Sequence, residues 1–391
     1  MRLPAVVTVG GLVALGLPVV AATPADALAQ CANPSGTYTG AVPWGQRLVD
    51  PQRLWPLSRG DGQLVAVIGT GVDGQNAQFA PGQVLGGSGA APSDCDGRGT
   101  IAAGIVGAQP DDATTFTGIA PGAKILPLRY TESNGSSAEG GGDPGALAGA
   151  IGTALDRGAT VLLIAVPAGS DSPALDAAVD RARASGAVVV SPAAATQQGA
   201  HSYPTASSGV LAVGSTNQAG QPVQTESGDY LGVAAPGANL VSTSAGGGGA
   251  VAHRWPVTDP GLAAAYVAGV AALVRAAHPD LTGDQVVTRL TLTASRPPSG
   301  AHDPHRGWGV VDAYAAVSST LPADVLGPGV QVRSAPVPAV VPAAAAARPA
   351  TDLAAGVIAL GGVVAAAAAG VAVAAVRRGK RRSWRPSRRY S

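Results

Sequence analysis

Five histidines, two cysteines and a scatter of hydroxyls are the residues of this 391-residue chain whose types could support nucleophilic or metal chemistry. A hydrolytic nucleophile needs a hydroxyl, an imidazole to take its proton, and a carboxylate to orient that imidazole. His201, His253, His278, His302 and His305 are the available bases, and Ser242, Ser244 and Thr258 the nearby hydroxyls. The histidines stand near Pro or Gly, which reads as solvated loop positions and not as a relocated catalytic group. Asp94 and Asp96 flank Cys95, and two carboxylates at that spacing cap a turn or pair locally, here with Arg98, more readily than they hold a metal. No metal or cofactor is expected. The glycine strings 140–142 and 246–249 lack the strand, Lys and Ser or Thr context of a phosphate loop and read as ordinary loops. Cys31 and Cys95 leave two readings open, one disulfide or two free buried thiols.

The elements that must position these groups are legible as alternation. Leu64 to Ile68, Lys124 to Arg129, Thr160 to Val166, Ala187 to Val190 and Val210 to Val213 are short, apolar and β-branched, as buried strands are. Between them, Pro144 to Arg157 and Pro173 to Ser185 read as helices, each opened by a capping residue followed by proline at the first helical position. Leu262 to Ala277 is apolar nearly all round and reads as a buried helix. Continuous apolar strands alternating with helices imply an α/β fold, a mainly parallel sheet covered on both faces.

Composition sets the remaining bounds. Hydrophobic residues make up 46% and charged residues 13% of the chain, and the formal charge is +1, which excludes a disordered chain and a nucleic-acid binder. The charge is unevenly spread. Eight basic residues follow position 376, whereas Ala27 to Asp352 holds 16 basic and 23 acidic residues, a formal charge of −7. Residues 1–29, with Arg2, an apolar run from Val6 to Ala22 and small residues at 25–29, have the layout of a signal peptide. An N-terminal extension is expected over 30–60, a folded domain over 61–320, and a Pro/Ala-rich linker over 321–352. Residues 353–376 form an uninterrupted apolar stretch, roughly 36 Å long as a helix and able to span a bilayer. The basic tail 377–391 follows at once, so the positive-inside rule leaves it cytoplasmic, against membrane lipid, with the folded domain outside the plasma membrane. Any thiols there meet oxidising conditions.

Several stretches together resemble the subtilisin-like serine proteases (peptidase S8 family), and more narrowly the mycosins, membrane-anchored subtilases of actinobacterial type VII secretion systems. They are Pro-Trp-Gly-Gln at 43–46 with Leu-Trp-Pro-Leu-Ser-Arg-Gly at 54–60, Val-Ala-Val-Ile-Gly-Thr-Gly-Val-Asp at 65–73, Asp-Cys-Asp-Gly-Arg-Gly-Thr at 94–100, Gly-Val-Ala-Ala-Pro-Gly at 232–237, and Ala-Tyr-Val-Ala-Gly-Val-Ala-Ala-Leu-Val-Arg at 265–275. The resemblance implies a subtilisin-like three-layer fold and a Cys31–Cys95 bridge tying the extension to the loop ahead of the family's histidine. It also implies where the chemistry should be. The family's Asp-Thr-Gly, His-Gly-Thr and Gly-Thr-Ser correspond to Gly69-Thr70-Gly71, Arg98-Gly99-Thr100 and Asp259-Pro260-Gly261, and its oxyanion Asn corresponds to Thr196.

Each replacement matters chemically. Gly69 cannot orient a base, Gly261 has no hydroxyl, and Arg98 keeps its proton at any physiological pH. The expectation is therefore a pseudoprotease, a catalytically inactive, membrane-anchored subunit that scaffolds a type VII secretion system and associates with its membrane-core subunits. A non-cleaving module that receives a peptide segment in the family's cleft is the alternative. An active serine endopeptidase is the third reading.

Overall fold

Residues 31–86, 94–132, 142–194, 201–297, 299–322 and 324–327 are described by the structure, a computed structural model. The expected signal peptide, transmembrane helix and basic tail, most of the linker, and Thr196 lie outside the described residues. The chain enters through α1 (Trp44–Val49) and α2 (Pro51–Leu54), then runs β1 (Leu64–Gly69), α3 (Arg98–Gly107), β2 (Lys124–Arg129), α4 (Pro144–Asp156), β3 (Val161–Ile164) and α5 (Pro173–Ala184). There follow β4 (Val188–Pro192), β5 (Val210–Thr216), β6 (Leu231–Pro236), β7 (Leu240–Thr243), β8 (His253–Val257), α6 (Pro260–Ala277), α7 (Gly283–Leu292) and α8 (Ala313–Ser318). Six strands pair in parallel in the order β2-β1-β3-β4-β5-β6, while β7 and β8 form a separate antiparallel pair.

Successive side chains of a strand point to opposite faces, so an apolar strand feeds two cores. On β1 and β3, Val65, Val67, Val161 and Leu163 pack with α3 and α6, whereas Ala66, Ile68, Leu162 and Ile164 pack with Leu147 and Ile151 of α4 and Leu175 and Val179 of α5. This explains why these strands show no polar alternation. The outer helices begin where the residues dictate. Asp143 Oδ1 accepts from Ala146 N at 2.7 Å ahead of Pro144, and Ser172 Oγ accepts from Leu175 N at 3.2 Å ahead of Pro173. Helix α6 has the length and apolarity of a membrane span, but it is packed inside the domain against α3 and β3 to β6.

Three elements are less legible in the residues. Helix α3 holds Gly99, Gly104 and Gly107, poor helix formers. Packing requires the first two, because a Cβ at Gly99 would lie 1.8 Å from the Gly71 carbonyl oxygen and one at Gly104 would lie 2.1 Å from Thr243 Oγ1. Strands β6 and β8 carry Pro236 and Pro256, which break the usual strand signature.

The N-terminal extension is sewn to the domain at several points. A disulfide joins Cys31 to Cys95, with Cα atoms 4.4 Å apart, which resolves the cysteine alternatives. Gln46 Nε2 donates to Thr115 O at 3.2 Å and its Oε1 accepts from Thr117 N at 2.9 Å, while Trp44 Nε1 donates to Ala238 O at 3.0 Å. His253, expected as a solvated loop residue, is instead fully buried on β8. Its Nδ1 accepts from Tyr38 N at 3.1 Å, which places the proton on Nε2 for donation to Gln78 Oε1 at 2.6 Å. Burial pushes this imidazole down to about 4, with distant Asp111 opposing the shift.

Two outcomes follow. Replacing both Cys31 and Cys95 by serine should lower stability, by at most about 4 kcal/mol on the chain-entropy estimate for a sequence separation of 64. Unchanged denaturant midpoints in the double variant would show that the bridge adds nothing. For His253 the folded value lies below the unfolded value of about 6.5, so its contribution is complete above pH 6.5 and is lost as pH falls through 4. The loss approaches roughly 3 kcal/mol, and urea midpoints from pH 7 to 4 should fall more steeply for the wild type than for His253→Asn, which does not titrate.

Candidate functional site

In open α/β sheets ligands bind beyond the carboxyl ends of the strands. Gly69 closes β1 there, and a Cβ on it would sit 3.3 Å from Ala165 Cβ, just beyond β3. Gly261, the second residue of α6, approaches the same residue, since a Cβ on it would lie 2.3 Å from the Ala165 carbonyl oxygen. Arg98 opens α3 and reaches the start of α6, with Nε 3.2 Å from Asp259 Oδ2 and 3.5 Å from Asp96 Oδ1. The fold thus brings Gly69, Arg98 and Gly261 to one place.

The supporting residues are specific. Asp94 is fully buried and caps α3 from a distance, accepting from Gly97 N at 2.9 Å through Oδ1 and from Thr100 N and Thr100 Oγ1, both at 2.7 Å, through Oδ2. Burial raises this carboxyl, and its hydrogen bonds to Thr100, Thr70 and Gly97 pull it back. Thr70 Oγ1 accepts from Gly99 N at 3.0 Å and so fixes the start of α3 to the end of β1. Asp259 is the N-cap of α6, its Oδ1 accepting from Gly261 N at 2.7 Å. Pro260 sits at the first helical position, where its missing N–H costs nothing. Burial pushes the Asp259 carboxyl above the ordinary carboxylate range, with Arg98 and the Gly261 N–H opposing and Asp96 adding to the rise.

A cavity of about 350 Å³ opens over these groups, lined by Asp96, Arg98, Arg254, Thr258, Asp259 and Leu262 among others. Arg254 and Asp259 are the residues that pattern reading did not single out as a pair of walls. The available signal was the short Trp-Pro-Val-Thr segment between Arg254 and Asp259, which keeps the two close along the chain. Among the described residues no group of three or more metal ligands is present, and Asp94 and Asp96 act as helix cap and ion-pair partner.

The remaining candidates are dispersed. His201 Nδ1 lies 3.2 Å from both Glu226 Oε2 and Tyr230 Oη, His278 Nε2 meets Val317 O at 2.7 Å, and His302 Nε2 meets Leu231 O at 2.7 Å. The buried Nδ1 of His305 has no hydrogen-bond partner among the described residues. Ser242 Oγ donates to Ile101 O at 2.7 Å, Ser244 Oγ to Ala245 O at 3.0 Å, and Thr258 Oγ1 accepts from Asn239 N at 3.1 Å. Among the described residues none of these contacts couples a histidine to one of the three hydroxyls.

Gly261→Ser should lower stability by about 2 kcal/mol, because its Cβ meets a backbone oxygen that has no rotamer by which to yield. A thermal melt indistinguishable from wild type would show instead that the start of α6 can retreat from β3.

Comparison with known proteins places this geometry. The family model described as "Subtilase family" matches residues 60–309. The chain is similar to mycosin-3 of Mycobacterium tuberculosis, with 37% identity over 369 residues that cover 78% of each chain. It superposes with TM-score 0.62 and 32% identity on "a serine protease MycP1, an essential component of the type VII (ESX-1) secretion system", covering 74% of this chain and 92% of that one. It also matches a chain of the periplasmic assembly from the ESX-5 inner membrane complex, with TM-score 0.60, 28% identity and coverage of 75% and 89%. The expected subtilisin-like fold, with its mainly parallel sheet, is therefore present. The expected inactive secretion scaffold is corrected by these relatives. Structures of this kind are named as serine proteases, which points toward proteolysis and away from a degenerate scaffold.

Proposed function

Because the chain belongs to the subtilase family, and within it to the mycosins, we propose that it acts at a type VII secretion complex with Gly69, Arg98 and Gly261 in the places of the family's Asp, His and Ser. The observation that carries this reading is spatial. Three positions separated by up to 192 residues meet at one edge of the sheet, and Arg98 is tied to the residue that caps the helix bearing Gly261. Peptide hydrolysis through a serine acyl-enzyme requires an Oγ at the start of α6 and an imidazole opposite it. Glycine supplies no Oγ, and a guanidinium that remains protonated cannot take a proton from one.

Association with a membrane complex is supported by the similarity to a chain of the ESX-5 inner membrane assembly. In this reading residues 1–29 direct export, 30–60 form the extension, 61–320 the subtilisin-like domain and 321–352 the linker. Residues 353–376 cross the plasma membrane once, with the domain extracytoplasmic and the tail 377–391 facing cytoplasmic lipid headgroups. Thr196 in place of the oxyanion asparagine belongs to the same proposal, since a threonine lacks the amide donor.

Two measurements test it. Purified full-length protein in mild detergent should take no fluorophosphonate label at position 261, where glycine offers no Oγ. A label that disappears on denaturation overturns the assignment of the three positions. Affinity capture of the tagged protein from its native membrane should bring secretion-complex subunits with it, and their absence under conditions that preserve that complex overturns the proposed site of action.

A further inference from the structure

We infer that the cavity over the start of α6 is a binding site for a carboxylate group. The inference rests on the reading that Arg98 stands where the family has its imidazole, and extends it by naming what the arginines of this site recognise. The hydrogen-bond inventory of the cavity is unbalanced. Asp259 is committed through both oxygens, Oδ1 to Gly261 N and Oδ2 to Arg98 Nε, and Asp96 Oδ1 faces both the backbone N and the Nε of Arg98. The donors are not committed in the same way. Among the described residues Arg98 Nη1 is buried with no acceptor, although the Arg98 side chain as a whole is 30% exposed and borders the cavity. Arg254 also lines the cavity, from an exposed position on β8, and among the described residues no carboxylate lies within ion-pair distance of it.

Two guanidinium groups with unused donors, on facing elements around a cavity of about 350 Å³, call for a ligand rich in acceptors. A carboxylate presents two coplanar oxygens that match the guanidinium fork. Asp96 and Asp259 set the charge. With two carboxyl groups already against Arg98, a dianion such as phosphate meets more repulsion than a singly charged group does. Arg254 then supplies the attraction that is not already spent, and an oxygen bound beside Arg98 gives its fork an acceptor to turn toward. In a polypeptide the carboxylate comes either from the C-terminus or from an Asp or Glu side chain.

Fluorescence polarisation with the full-length protein in mild detergent at low salt tests this. The probes are three labelled peptides of one alanine-rich sequence: a free C-terminal acid, its amide, and the amide with a single Glu. The acid, the Glu peptide, or both should bind at least tenfold more tightly than the neutral amide, and which one does so identifies the source. Arg254→Gln should weaken that binding at least tenfold, and Arg254→Lys, which keeps the charge and loses the fork, should fall between. Arg59→Gln, which alters a guanidinium stacked on Trp55 outside the cavity lining, should leave it unchanged. Equal binding of all three peptides, wild-type affinity in the folded Arg254 variants, or stronger displacement by inorganic phosphate than by acetate overturns the inference. A fluorophosphonate adduct refutes the assignment of position 261 without altering these affinities, so the two failures are distinguishable.

Discussion

The start of α6 is pressed against the main chain that leaves β3, and the site depends on that approach. A side chain at position 261 would have to occupy space held by the Ala165 carbonyl oxygen. With glycine there, the backbone closes the gap, and Asp259 is held where its carboxylate can cap the helix and face α3 at once. The same device recurs at Gly99, whose missing Cβ lets α3 abut the Gly71 carbonyl. Two helix N-termini are thereby brought to one edge of the sheet by absent atoms.

What fills that edge is an ion pair between Arg98 and Asp259. The partly exposed Arg98 is not strongly bound by its partners, since solvent screens a pair of this kind. A permanent cation at the start of α3 compensates a carboxylate that burial would otherwise neutralise. Removing either partner alone leaves the other in a poorly solvated place, so the two positions are energetically coupled even if the pair adds little net stability.

The sheet was readable because its strands are buried on both sides, which turns them into uninterrupted apolar runs such as Val65 to Ile68 and Val161 to Ile164. Helices α4 and α5 were readable from their caps. Helix α3 was hidden because tight backbone packing selected glycines, which mask helical propensity, and β8 was hidden by its proline. At the site, residue types established what position 69, 98 or 261 can do in isolation. They did not show that Asp259 joins Arg98, because that contact spans 161 positions of chain and depends on how two helices are docked. His253 illustrates the same limit. Its neighbours suggest a wet loop, yet a strand pairing with Thr243 carries it into the interior against Phe116.

Helix α6 lies late in the chain and yet touches α3 and five of the six strands of the main sheet. One face of the sheet therefore has no complete cover until residue 277 is available, although β1 has been waiting since residue 64. A chain emerging from its N-terminus must carry an exposed apolar surface through most of its synthesis or passage, and its productive contacts form across long sequence separations, which slows folding and invites association with other chains. The domain is in this sense completed from its far end, and any factor that shields the unfinished sheet would act before α6 arrives and be displaced by it.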